Sequence, residues 1–522
     1  MHDSNAWLFG PQIALHRARQ SLSDTEHARI LERLEATHPS GQAILSLRDQ
    51  VFSGQKVNAS EKRAVGHWAL RMAVLPPGPN VLTDGLPKQF APDQHDLLPR
   101  FSAEHQRVAD FAHQLRQGSL RSTSGEAITT IIHLGIGGSD LGPQLLIDAL
   151  GGPQTQRPIN ARFLSNLDYH AVQHCLAALD PASTLVAMVS KSFTTQETLH
   201  NAAHLRKWME AAEIPHACQN FIAITNRVEL AAQWGITEEK IFWFDESIGG
   251  RYSLWGPVSL TARAVLGNAV IDDVVAGGLA MDQHFLTTPL PQNLPAVLAA
   301  TDFFNLRERQ IPTLMVSAYD SRLTRLVPYL KQLWMESLGK HIDAYGTPIQ
   351  GPACPILWGD VGTNAQHAFF QLLHQGGQGV AVDLIGTVKP EHGSVASHTA
   401  LLSNLIAQAQ ALSTGYESSD ANKACWGGHP VHLFMLDRLN AKSLGALLCL
   451  WEHRVLCMAA LSGVNPFDQW GVELGKAIAT SAYQALLGDD AITHPAATQS
   501  AGALPHQIDS VSQSIIDWLG RQ

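Results

Sequence analysis

Apolar runs bounded by glycine- and hydroxyl-rich loops recur along this chain and alternate with helix-like stretches. Ile128–Leu134 is β-rich and apolar; it ends in Gly135-Ile136-Gly137-Gly138-Ser139-Asp140 and leads to a helix-like Gln144–Leu150. Leu185–Val189 runs into a polar loop and a helix from about Gln196, and Phe221–Thr225 precedes another helical stretch. Strands alternating with helices at this rhythm predict βαβ units and a parallel sheet. The pattern restarts after Asn305. Pro312–Ser317 reads as a strand, Leu323–Leu338 as a helix, Pro355–Trp358 as a short strand, His367–His374 as the start of a helix and Gly379–Ile385 as a third strand. The first hundred or so residues read as helical and loop-rich. Ser23 and Glu26 are spaced as a capping box opening a helix through about Leu34, and Pro76–Pro79 is a break. Ala441–Leu487 reads as mostly helical. The expected architecture is α/β: a helical N-terminal segment over 1–120, a flavodoxin-like parallel-sheet domain over 121–290, and a second over 291–522 that ends in a helical tail.

Composition narrows the class of protein. A chain of 522 residues is too long for one ordinary core and fits roughly two to four domains, or two large ones. With 45% hydrophobic and 16% charged residues it reads as a globular enzyme, far from a disordered chain. The net charge of -10, from 36 basic against 46 acidic residues, argues against a nucleic-acid partner. An anionic substrate stays open, because a local nest of N–H groups holds phosphate on an acidic protein. Cys175, Cys218, Cys354, Cys425, Cys449 and Cys457 show neither CxxC nor metal-ligand spacing, so reduced thiols are expected. Met1-His2-Asp3-Ser4 lacks the basic start and apolar run of a signal peptide, and no uncharged apolar run has membrane-spanning length. We expect a cytoplasmic protein without a membrane partner.

Two strand-end loops carry the first chemical signal. In Gly135-Ile136-Gly137-Gly138-Ser139 the glycines let backbone approach a ligand, and the following helix N-terminus favours an anion. The loop equally fits a tight turn without ligand. Its glycines do not follow the GxGxxG spacing and no acidic residue stands at the dinucleotide position, so no dinucleotide cofactor is expected. In Ser190-Lys191-Ser192-Phe193-Thr194-Thr195-Gln196-Glu197, four hydroxyls and a lysine gather where a helix begins. They suit a phosphate monoester without a metal, and they also suit a well-furnished helix cap. Both loops would lie at the carboxyl edge of one parallel sheet, where α/β proteins take ligands. Glu336, in Gln332-Leu333-Trp334-Met335-Glu336-Ser337, has apolar neighbours whose burial would raise its pKa toward that of a working base. His367 stands in another polar loop entering a helix. Gln469, Glu473 and Lys476 share one helical face, where Glu473 and Lys476 also have the spacing of an ion pair. No compact His/Glu cluster for a metal is evident in the order of residues.

Together these segments resemble the glucose-6-phosphate isomerase family. The resemblance rests on His133–Gly142, Ser190–Glu197, Gly249-Gly250-Arg251-Tyr252-Ser253-Leu254-Trp255, Gln332–Lys340, Trp358–Gln375 and Asn465–Lys476, which run in the family's order. It implies two sugar-isomerase (SIS-type) domains and an active site between them at the interface of a homodimer. It implies no cofactor and no metal, and an aldose–ketose exchange between glucose 6-phosphate and fructose 6-phosphate in glycolysis and gluconeogenesis. Ser139, Ser190, Ser192 and Thr195 would hold the substrate phosphate, with Gly138 and Lys191 close by. Glu336 would be the base, and Gln332 and Gln469 would contact substrate. His367, from the partner subunit, and Lys476 would open the sugar ring, with Glu197 setting the tautomer of that histidine. Arg251 would stabilise the enediolate. Two positions depart from the family pattern: Leu338, where asparagine is usual, and Asp360-Val361 in the histidine loop. Two other readings stay open at this point. One is an isomerase that also takes mannose 6-phosphate; the other is a sugar-phosphate sensor, which would need the loops but not the base, arginine and lysine.

Overall fold

In the computed structural model, which describes residues 7–20, 22–35, 43–74, 85–152, 158–487 and 508–520, the apolar runs assemble two sheets. The first orders Asn160–Leu164, Thr130–Leu134, Thr184–Val189, Phe221–Thr225 and Ile241–Trp243, all parallel. Its three central strands are buried along their whole length. Burial on both faces is why they read as continuous apolar runs rather than as alternating ones. The two edge strands were not legible in the sequence. Asn160–Leu164 is largely half-exposed, and Ile241–Trp243 has only three residues.

The second sheet orders Trp7–Gly10, Ile13–His16, Val431–Leu436, Ala381–Thr387, Thr313–Ala318 and Ile356–Val361. The last four are parallel to one another. The first two form an antiparallel hairpin whose second strand lies antiparallel on Val431–Leu436, with Leu15 opposite Phe434. This hairpin departs from the expected helical and loop-rich opening. Strands of four residues are too short to show a period of two, and their stability comes from the sheet edge they extend. The rest of the opening is helical as expected: Asp24–Glu35, Ile44–Phe52, His67–Met72 and Leu98–Arg116. The capping box forms, with the Glu26 N–H donating to Ser23 Oγ at 3.2 Å and the Ser23 N–H donating to the Glu26 carboxylate at 2.8 Å. The Pro76–Pro79 break lies outside the described residues. Two compact units result: Met1–Pro466, which holds both sheets, and Phe467–Gln522, which carries the helices Glu473–Leu487 and Ser510–Leu519.

The helices Asn268–Thr287 and Ala441–Ser462 cross in the core. Among the described residues, Ala441–Ser462 is the one helix long and apolar enough to cross a membrane, and it is fully buried inside the protein instead. The crossing depends on two glycines. A Cβ on Gly445 would stand 1.8 Å from the Val274 carbonyl oxygen, and one on Gly277 would stand 1.9 Å from that of Lys442. Both obstacles are backbone, which cannot swing aside as a side chain can. Gly445→Ala is therefore expected to lower stability by about 1–3 kcal/mol despite alanine's better helix propensity. A urea unfolding midpoint equal to or above that of the native protein would show that the helices have room to part.

Buried charges tie these helices together. The Arg71 guanidinium donates to both carboxylate oxygens of Asp282, at 2.6 and 2.7 Å, and to Glu452 at 2.7 Å. Trp255 Nε1 donates to the other oxygen of Glu452 at 2.7 Å. Arg454 pairs in the same way with Asp302 at 2.7 and 2.8 Å and with Asp383 at 2.5 Å. Each carboxylate is matched to a guanidinium edge, the arrangement that makes burial of charge tolerable. The first network sits under the Gly249–Trp255 motif and so supports the segment that carries Arg251.

Candidate active site

Thr130–Leu134 and Thr184–Val189 are adjacent parallel strands, so the loops at their carboxyl ends lie side by side. In the first loop Gly137 has a φ of +59°, and a side chain there would meet the Gln332 amide nitrogen at 2.8 Å. A Cβ on Gly138 would stand 2.2 Å from the Gly250 carbonyl carbon, so glycine is what lets the loop pack on the Gly249–Trp255 motif. His133, on the strand, anchors the turn from inside. Its Nε2 donates to the Ser139 carbonyl at 2.7 Å and its Nδ1 accepts from Thr261 Oγ1 at 2.9 Å. These are the roles in the neutral ring, the form favoured by burial, which lowers its pKa to about 4. Burial also lifts the Asp140 carboxyl to about 6, against a hydrogen bond from Gln144.

The His133 shift has a consequence for stability. The unfolded chain takes up a proton near pH 6.5 and the folded chain only near 4. Between these values the unfolded state binds more protons, so stability falls on acidification. His133 alone contributes at most about 3 kcal/mol to that loss. Replacing it with asparagine should flatten the pH dependence of the urea midpoint between pH 6.5 and 4 by up to one proton's worth of slope. An unchanged slope would mean the ring already titrates in the folded protein.

In the second loop Ser190 Oγ and Thr195 Oγ1 are 2.9 Å apart, and Ser192 Oγ accepts from Thr194 Oγ1 at 2.8 Å. Phe193 has a φ of +52° and is buried. A bulky residue in that region is uncommon, and core packing of its ring holds the strained turn in place. Lys191 is directed elsewhere. Its ammonium donates to the Glu246 and Ile248 carbonyls, at 2.7 and 2.8 Å, and burial lowers its pKa to about 8. The side chain thus ties this loop to the segment that enters the Gly249–Trp255 motif.

Arg251 is fixed on several sides. Its Nε donates to Ser337 Oγ at 2.7 Å, its Nη2 to the Pro466 carbonyl at 2.6 Å, and its Nη1 stands 3.6 Å from the Glu336 carboxylate. The Tyr252 hydroxyl meets the same Ser337 Oγ at 2.9 Å. Arg251 is 3% exposed and Glu336 24%, so the guanidinium is enclosed while the carboxylate reaches solvent. The helix that carries Glu336 differs from the continuous one expected over Leu323–Leu338. It is α-helical over Leu326–Lys331 and opens into a π-helical turn over Gln332–Glu336. Such wider turns occur chiefly at functional sites. Here the turn holds both Gln332, against Gly137, and Glu336, against Arg251. The fold therefore brings Gly138, Gln332, Arg251 and Glu336 to one place at the junction of the two sheets.

The other expected residues lie on other elements. His367 is exposed, just after the short helix Gly362–Gln366. Glu197 is half-buried in the first turn of the helix Gln196–Ala211. Gln469 and Lys476 lie in the C-terminal unit, where Lys476 is exposed and pairs with Glu473 at 2.7 Å. Leu338 is fully buried, and Lys340 covers the end of its helix through the Glu336 and Ser337 carbonyls, at 2.8 and 3.0 Å. Asp360 is exposed and accepts from the Val361 N–H at 2.7 Å. Among the described residues, folding also assembles one compact set of metal-type ligands unseen in the sequence: Asp282, Cys449 and His453, all buried. Burial raises the Asp282 pKa, but the Arg71 guanidinium outweighs it and holds it at about 2. Arg71 therefore already supplies the cation there. Sequence reading missed Ser337, His133 and Tyr252 as supports of the site. The available signal was their position beside Glu336, beside the Gly135–Ser139 loop and beside Arg251, respectively.

Hydroxyl-lined strand-end loops beside one carboxylate and one immobilised guanidinium suit proton movement within a phosphorylated sugar, and the class they define is an aldose–ketose sugar-phosphate isomerase. The model of the phosphoglucose isomerase family matches residues 19–502, and the chain belongs to that family. Among its relatives, the glucose-6-phosphate isomerase of Bordetella petrii is 40% identical over 451 residues, covering 83% of this chain and 81% of that protein. That of Caulobacter vibrioides is 39% identical over 452 residues, with the same coverage of 83% and 81%. The crystal structure of a glucose-6-phosphate isomerase from Chlamydia trachomatis superposes with a TM-score of 0.79 at 29% identity, covering 92% of this chain and 89% of that one.

Proposed function

We propose that this isomerase interconverts glucose 6-phosphate and fructose 6-phosphate through a cis-enediol, in glycolysis and gluconeogenesis, with Glu336 as the base. The observation that carries the assignment is the placement of Glu336, half-open to solvent, against the enclosed Arg251 at 3.6 Å. Glu336 takes the proton from C2 of the open aldose. The C1 carbonyl oxygen gains negative charge, which the Arg251 guanidinium stabilises at fixed position. The proton of the C2 hydroxyl passes to the C1 oxygen, the same carboxyl returns its proton to C1, and C2 becomes the carbonyl of the ketose. A sensor of sugar phosphates would have use for the loops but none for this pair.

The remaining roles follow the family resemblance. Ser139, Ser190, Ser192 and Thr195 hold the phosphate, with Gly138 and the Lys191 backbone close by, while the Lys191 ammonium, on the Glu246 and Ile248 carbonyls, ties the loop down. Gln332 and Gln469 contact the sugar. His367 and Lys476 move the proton between ring oxygen and C1 hydroxyl, with His367 reaching a neighbouring subunit of a homodimer and Glu197 receiving it. In favour of this, neither His367 nor Glu197 makes a side-chain hydrogen bond or ion pair within the chain, among the described residues. A mainly helical segment over 1–120, whose Trp7–His16 hairpin joins the second sheet, and sheet domains over 121–290 and 291–522 are the domain division we favour, with the protein in the cytoplasm.

A coupled assay on the purified protein tests the reading. Fructose 6-phosphate should yield glucose 6-phosphate with kcat within the usual enzyme range of about 1–10³ s⁻¹. Mannose 6-phosphate in parallel measures breadth of specificity. Failure to form glucose 6-phosphate would sink the assignment.

A further inference from the structure

The carbonyl that holds Arg251 is itself held from the far end of the chain. Pro466 accepts from Arg251 Nη2 at 2.6 Å and from the Tyr252 hydroxyl at 3.3 Å, shortly after the helix Ala441–Ser462 has ended. Asn465, immediately before it, is buried. Its Nδ2 donates to Asn58 Oδ1 at 2.9 Å and to Ser60 Oγ at 3.2 Å, across separations of 407 and 405 residues. Asn58 is buried too. Its backbone pairs with Arg63 in both directions, at 3.1 and 3.2 Å, and its Nδ2 donates to Glu61 at 2.7 Å. Residues 58–63 thus form a closed turn that presents a fixed acceptor to Asn465. The same turn reaches the phosphate side of the site. Glu61 pairs with Arg63, whose Nη1 donates to the Glu246 carbonyl at 2.8 Å, and that carbonyl also accepts from Lys191.

The proline makes this hold stiff. Its ring fixes φ and restricts the residue before it to extended backbone, so few soft torsions lie between the Asn465 side chain and the Pro466 carbonyl. We propose that Asn465 is a positioning residue for the isomerisation. Anchored on the turn over 58–63, it sets the Pro466 carbonyl and, through that carbonyl, the direction in which Arg251 faces the enediolate. The inference rests on Arg251 being the group that stabilises the enediolate. Two consequences are specific to it. Loss of the anchor falls on kcat, because charge on the sugar oxygen develops only as the enediolate forms. The loss also shrinks once the guanidinium fork is gone, because Asn465 acts through Arg251.

The test is a double-mutant cycle in the coupled assay with fructose 6-phosphate. Asn465→Ala leaves Asn58 Oδ1 its contact with Ser60 Oγ at 3.4 Å and leaves the Asn58 amide on Glu61, so the turn should stay folded. It should lower kcat about ten- to a hundredfold, the scale of a misplacement of about 1 Å, and change KM less than about twofold. In the Arg251→Lys background, where the fork and its placement are already lost, the same substitution should change kcat less than about threefold. Asn465→Asp keeps the shape of the side chain but sets a carboxylate oxygen against the Asn58 oxygen; it carries the test if the alanine variant unfolds. Circular dichroism identifies the folded variants. Equal falls in the two backgrounds, a fall carried by KM, or a kcat within about twofold of native would overturn the proposal. The two levels fail differently. An Arg251→Lys enzyme of native kcat removes the role of Arg251 and this inference with it, whereas a large fall in Arg251→Lys beside an unaffected Asn465→Ala enzyme removes the role of Asn465 alone.

Discussion

Glu336→Gln is expected to lower kcat about a thousand- to ten-thousandfold while changing KM for fructose 6-phosphate little. Glutamine keeps the volume and one oxygen toward Arg251 but cannot take a proton from carbon. The exchange removes the carboxylate from beside the enclosed Arg251, but the guanidinium keeps its hydrogen bonds to Ser337 Oγ and the Pro466 carbonyl, so the fold should persist. Substrate binding rests on other groups, which is why KM should hold. Exchange of solvent deuterium into C2 of the product pool should fall in parallel with turnover, since both need the same proton acceptor. Turnover within about tenfold of the native enzyme would remove Glu336 from the role.

The legible parts of this fold were those whose physics is local. Thr184–Val189 and Phe221–Thr225 are central strands of a parallel sheet, so every position is apolar and the run is visible without its partners. The Ser23–Glu26 box is visible because both partners lie within one turn. What escaped depends on distant parts of the chain. The hairpin Trp7–His16 exists because Val431–Leu436 offers it an edge. The π-helical turn at Glu336 widens in an apolar segment whose pitch is set by what packs on it, Trp334 among the rest, which is fully buried. The direction of Lys191 is a further case. A lysine among hydroxyls reads as a phosphate ligand, but whether its ammonium turns to the loop or to the carbonyls of Glu246 and Ile248 is decided by a segment more than fifty residues on. Of the site itself, the residue types were legible from their motifs. Their mutual placement was not, because Arg251 meets Ser337 and Pro466 across separations of 86 and 215 residues.

Arg251→Lys is the second large effect, and it separates charge from placement. Lysine keeps the positive charge and could in principle stabilise an enediolate. It has one ammonium on a flexible stem, however, where arginine has a planar fork with five donors. In this site the fork is used in three directions at once: Nε to Ser337 Oγ at 2.7 Å, Nη2 to the Pro466 carbonyl at 2.6 Å, and Nη1 toward Glu336. An ammonium satisfies one of these well. The nearer carbonyl and hydroxyl compete for it, and both lie in the enclosed part of the site. We therefore expect a fall of about a hundred- to thousandfold in kcat, comparable to loss of a preorganised donor to a developing oxyanion. The hydrogen bonds lost at Pro466 and Ser337, which keep the Tyr252 hydroxyl beside them, should cost about 1 kcal/mol of stability each. The two losses are separable: kcat is read at saturating fructose 6-phosphate, and stability from urea unfolding. If charge alone mattered, kcat would stay within about threefold of the native value while stability fell. That outcome would relieve Arg251 of its fixed geometry and leave it as a counter-ion for Glu336.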